Sequence, residues 1–172
     1  MGGLNLPVTN PIIKPPLGAN NVYVAAVPLR AASGPPQLVM SAAYSLYLSW
    51  DLQHFMVLTT PSAKLPSQVS VFDFQPQDPE SISAALAAVS GRKIPGVVQT
   101  RKMKKLPKTR CWMVGSCNLD VADTIHKFNS NWDTDLIVGQ HDCRHYTNGL
   151  VECLTGEKYV LDRLKISQNS IS

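Results

Sequence analysis

The chain has 172 residues, 44% hydrophobic and 16% charged, with a formal net charge of +4. That composition excludes a disordered or collagen-like polymer, and the length allows one domain whose core needs no disulfide staples. No apolar run approaches the ~20 residues of a membrane-spanning helix.

The start, MGGLNLPVTN, lacks the charged and apolar regions of a secretory signal, so the expected setting is intracellular, in the cytoplasm. Residues 1–20 carry Pro7, Pro11, Pro15, Pro16 and three glycines and read as an extended arm. A domain over 21–166 follows, and 167–172 form a polar tail. NVYVAAVPL reads as a strand with a turn at SGPP, while QLVMSAAYSLYLSW suits a helix or two short strands. HFMVLTT, ended by Pro61, and SQVSVFDFQ, ended by Pro76, are strands, joined as a hairpin through Pro66 and Ser67. Asp78 caps the next helix, with Pro79 in its first turn, Ile82, Leu86 and Val89 on one face, and Gly91 closing it.

Residues 91–110 read as a basic loop holding Arg92, Lys93, Arg101, Lys102, Lys104, Lys105, Lys108 and Arg110 without a single acid. The rest of the chain has eight basic against twelve acidic residues, so the positive charge is local. Such a loop is ordinarily a solvated surface. Its candidate partners are an anionic surface or an acidic protein. RCWMVG is then a short strand, and Asn118 caps a helix with Val121, Ile125, Phe128 and Trp132 at helical spacing. Asp142 caps a last helix that begins at Cys143 and stops at Gly156, and KYVLDRL is a final short strand. The order of elements gives the fold class α+β: a single domain with an antiparallel sheet packed with helices.

The chemistry concentrates in QHDCRHYTNGL. A thiolate is the reactive form of cysteine, and an unperturbed thiol, with a pKa of ~8.5, is mostly protonated at neutral pH. A place at the first turn of a helix, beside unpaired N–H groups and the positive end of the macrodipole, favours the anion at Cys143. An imidazole would complete the activation. His145 is two residues along the helix and points away, His141 precedes the cap with a direction the sequence does not set, and His126 lies inside another helix. Because a catalytic cysteine and histidine usually come from separate elements, His54, at the start of a strand, is the better candidate base. If position 73 pairs directly with position 54 in the hairpin, Asp73 lies on the same face as His54 and would orient it, whereas a slip by one would turn it away. Arg144 and His141, which flank the cysteine, are the candidate substrate-binding residues.

DCRHYTNGL resembles the nucleophile motif of the circularly permuted papain-like (NlpC-type) thiol proteins, which include lecithin:retinol acyltransferase-like enzymes and the PPPDE isopeptidases. In those families the histidine precedes the cysteine and begins a strand, as QHFMVLTT does. The likeness covers roughly residues 45–156. It implies a permuted papain-like fold, His54 as general base, Cys143 as a nucleophile forming a thioester, and the Cys143 N–H as part of an oxyanion hole. It also implies a structural His145. Asp142 stands where the family usually has Asn, and Phe55 with Met56 stand where it has an aromatic–glycine pair.

The resulting expectation is a thiol hydrolase or acyltransferase acting on an isopeptide, amide or acyl ester, a thiol protease in the first case. No cofactor and no metal are required. The main alternative is a catalytically inactive papain-like module that binds through the basic loop. A second is a zinc-stabilised domain using Cys111, Cys117, Cys143 and a histidine, although five intervening residues exceed a zinc-knuckle spacing.

Overall fold

The computed structural model describes residues 19–28, 53–62, 68–79, 81 and 90–169. Most of the expected arm, the stretch 37–50, the hairpin link at Pro66 and Ser67, and the helix face at Ile82, Leu86 and Val89 lie outside the described residues.

Six strands form one sheet: β1 (Asn20–Pro28), β2 (Gln53–Pro61), β3 (Val69–Pro76), β4 (Ile94–Met103), β5 (Cys111–Cys117) and β6 (Asp135–Leu136). Their spatial order is β5-β1-β2-β3-β4-β6, with every neighbouring pair antiparallel. The described helices are α1 (Val121–Ser130), α2 (Cys143–Thr155) and α3 (Val160–Asn169). The chain is therefore a single α+β domain. None of the described helices is long and apolar enough to cross a membrane.

Alternation along the strands divides the apolar residues between two faces. Val22, Val24 and Ala26 of β1, Phe55 and Val57 of β2, and Phe72 and Phe74 of β3 meet Ile125, Tyr146, Leu150, Val151, Leu154, Val160 and Leu161 from the three helices. The opposite face holds Ala25, Met56, Leu58, Val69 and Val71, with Leu106 packed on them. Leu106 belongs to the link 104–110, which carries the chain from β4 to β5 on the far side of the sheet.

Three expectations need correction. Half of the basic stretch 91–110 is the long strand β4, in which the partly buried Val97 and Val98 pair with β3 and the buried Ile94 pairs with β6. KYVLDRL is not a strand: from Val160 it is helix α3, whose buried Val160 and Leu161 dock against the main core. The cap of α1 is Asp120 rather than Asn118, and Asp120 accepts from the backbone N–H of Asp123.

The β2–β3 ladder is short. It comprises Val57↔Phe72, Leu58↔Val71 and Thr59↔Ser70, although β1 pairs with β2 through Gln53 and β3 with β4 through Pro76. The sheet thus opens between the start of β2 and the end of β3. The candidate site sits at that opening.

Candidate active site

The loop before α2 is built to deliver its first residue. Ile137 and His141 exchange backbone hydrogen bonds, and Gly139 adopts φ 85°, a left-handed conformation suited to glycine. The Gly139 N–H donates to Asp142 Oδ2 at 2.7 Å. Asp142 is the N-cap of α2, accepts from the Arg144 N–H at 3.0 Å, and forms a reciprocal capping box with His145. The Arg144 guanidinium closes on the same carboxylate at 2.6 Å. Burial opposes the charge on Asp142, but the bonds from Arg144 and Gly139 outweigh it and lower the carboxyl to about 2. Cys143 is consequently the first residue of the helix, half-buried and reduced.

His54 enters from the second position of β2. Its Nε2 lies 2.7 Å from Asp73 Oδ2, and its side chain also engages that of Cys143. The Cys143 sulfur also lies 3.9 Å from the Gln53 carbonyl oxygen, the residue just before the histidine. Burial works against a charge on His54, whose side chain is 14% exposed. The bonds to Asp73 and Cys143, together with the charges of both, prevail and raise the imidazole to about 9.

Asp73 is completely buried and uses both oxygens: Oδ2 meets His54, and Oδ1 accepts from the Arg101 guanidinium at 2.7 Å. The register differs from the direct 54-to-73 pairing expected. Continued past Val57↔Phe72, the ladder would set Asp73 opposite Met56, two residues from His54. A shift of two keeps the side chain on the same face, so the contact is diagonal, across the opened end of the sheet.

The structure therefore brings Cys143, His54 and Asp73 into one connected chain. The other singled-out residues are placed differently. His141 stacks on Trp132, with ring centroids 4.5 Å apart, and its Nε2 meets the Asp133 carbonyl oxygen at 2.8 Å. Arg144 is engaged with Asp142. His145 is hydrogen-bonded within the capping box, but its side chain is exposed rather than packed. Tyr146 is buried one turn into α2 and donates to Asn129 Oδ1 at 2.7 Å, tying α2 to α1. Its burial, together with the Asp73 charge, pushes the phenol upward and keeps it neutral.

Arg101 escaped the sequence reading, which counted it among the residues of a basic loop. The only signal was relational: with Asp73 paired to Gln99, position 101 falls on the same face one step along β4. All four cysteines are free thiols, and among the described residues no group of three His, Cys, Asp or Glu side chains could hold a metal ion.

The arrangement can shuttle one proton between sulfur and ring while a buried carboxylate steadies the imidazolium. No protein-family model, curated protein or solved structure matches the chain.

Proposed function

We propose that this protein is a cysteine-dependent hydrolase or acyltransferase acting on an isopeptide, amide or acyl ester through a thioester on Cys143. The observation that carries the reading is the Cys143–His54–Asp73 chain, with the sulfur at a helix N-terminus and the imidazole raised to about 9. An imidazolium beside the sulfur favours the thiolate. That thiolate attacks the carbonyl carbon and forms a C–S bond. The oxyanion gathers near the N–H of Cys143, which the Asp142 side chain does not take, since that cap engages the N–H groups of Arg144 and His145. His54 then gives its proton to the departing amine or alkoxide as the carbonyl–N or carbonyl–O bond breaks. Water, or an acceptor hydroxyl or amine, next loses a proton to His54 and displaces the thiol.

This chemistry agrees with the resemblance to circularly permuted papain-like proteins, in which a strand histidine precedes a helix-borne cysteine. Arg144 and His141 are less suited to binding substrate than the sequence suggested, because both already serve the loop that positions Cys143. The exposed Lys104, Lys105, Lys108 and Arg110 on the link after β4 favour a second reading, an assembly module that meets an anionic surface or acidic partner.

Alkylation separates the two. Cys153 is exposed and provides an internal control. Iodoacetamide at about pH 6.5 is expected to modify Cys143 on the order of tenfold faster than Cys153, and His54→Ala to remove that advantage. Mass spectrometry after incubation with acyl-ester and ubiquitin-like electrophiles should find the adduct on Cys143. Equal rates at the two cysteines, with no adduct, would reject the enzyme reading.

A further inference from the structure

Asp73 has no exposed surface, and burying a carboxylate is costly unless a cation is paired with it. His54 supplies one only while protonated. In the proposed reaction His54 must become neutral once per cycle, when its proton passes to the leaving group. At that moment Asp73 would be a buried charge facing a neutral ring. Arg101 prevents this. Its guanidinium cannot lose its proton, and it contacts Asp73 Oδ1 at 2.7 Å while Oδ2 stays on His54.

We propose that Arg101 is a positioning residue that balances the Asp73 charge, so that His54 can release and recover its proton without stranding a buried carboxylate. The proposal rests on the thioester reading only for its catalytic consequence. The proton-affinity effect stands on the geometry alone.

Among the described residues, the charged and titratable groups around His54 come from three elements. β3 supplies Asp73, β4 supplies Arg101 through that carboxylate, and α2 supplies Cys143 beside the ring. Tyr146, also on α2, senses the Asp73 charge and stays neutral. The flanking rungs of β1, Ala26 to Pro28, carry no titratable side chain. Without Arg101, the state with neutral His54 and ionised Asp73 loses the permanent cation at Asp73 Oδ1, so the protonated ring becomes relatively favoured. Proton affinity at His54 should therefore rise.

The test follows the imidazole C–H resonances of His54 by NMR titration in a Cys143→Ala background, where no thiolate is coupled to the ring. Arg101→Gln in that background is expected to move the midpoint upward by roughly half a unit to one unit. Arg101→Lys, which keeps the charge without the planar fork, should stay within about a quarter of a unit of its parent. In the protein retaining Cys143, Arg101→Gln should lower kcat by roughly two- to tenfold with KM little changed, because a more basic imidazolium is a poorer acid. The upper limb of the pH profile should move upward by the same interval, and Arg101→Lys should restore most of the rate.

A His54 midpoint that is unchanged or lower in Arg101→Gln overturns the proposal. A raised midpoint in a protein that forms no Cys143 adduct supports the charge-balancing role and defeats only the thioester reading.

Discussion

Asp73→Asn removes one charge while preserving side-chain volume, and its effect can be worked through from the contacts. Asp73 is fully buried and holds His54 and Arg101 at 2.7 Å each. Once the carboxylate is gone, burial, the leading influence on His54, acts with much less opposition, so the imidazole falls from about 9 back toward its ordinary 6.5. A group whose folded pKa is raised stabilises the fold fully below its unfolded value, and the contribution fades as pH climbs through the folded value. The window here runs from 6.5 to about 9. A displacement of that size is worth on the order of 3 kcal/mol at acidic pH, an upper limit because Cys143 supplies part of the rise. Arg101, about half exposed, can return to water, so its lost pair adds at most about 1 kcal/mol. The variant should therefore be about 1–3 kcal/mol less stable than wild type near pH 6, with most of that deficit gone near pH 9.5. Urea unfolding followed by tryptophan fluorescence at both pH values reads the difference. A deficit that stays constant or grows toward alkaline pH would refute the argument.

Two further outcomes test how the site is held. Asp142→Ala removes the N-cap and the partner of Arg144, and should cost about 2 kcal/mol at neutral pH by urea unfolding. Because the Asp142 carboxyl is depressed from 3.8 to about 2, its contribution is present above 3.8 and lost as pH falls through that range, so the gap between wild type and variant should close on acidification. Gly96→Ala would place a Cβ 2.5 Å from Phe74 Cζ and 2.9 Å from the Thr134 carbonyl oxygen. The ring could turn aside but the backbone oxygen could not, so a loss of about 3 kcal/mol is expected, with a changed near-ultraviolet circular dichroism signal from the cluster of Phe74, Trp132 and Tyr146.

The parts of the site legible in the sequence were those set by local chemistry. Asp142, Cys143 and Gly156 punctuate α2 as cap, first residue and stop because an acceptor side chain and a residue free to adopt positive φ are local requirements of helix ends. The alternating runs that became β2 and β3 were legible for the same reason, since period two depends only on the chain's own geometry. Locality also explains the errors. YVLDRL contains residues at home in a strand, yet its fate was decided by Val160 and Leu161 meeting the rest of the core.

What only the tertiary structure decided was which distant groups meet. The Cys143 sulfur and the His54 ring come together because the β2–β3 ladder stops at Val57↔Phe72 and leaves room for the mouth of α2 at the opened end of the sheet. Asp73 reaches His54 through a register two residues from the expected one, and Arg101 joins them through a second register, that of β3 with β4. Residue types and spacing state what each side chain can do. Register is a property of pairs of strands, set by packing summed over the whole sheet, and no single stretch of chain contains it.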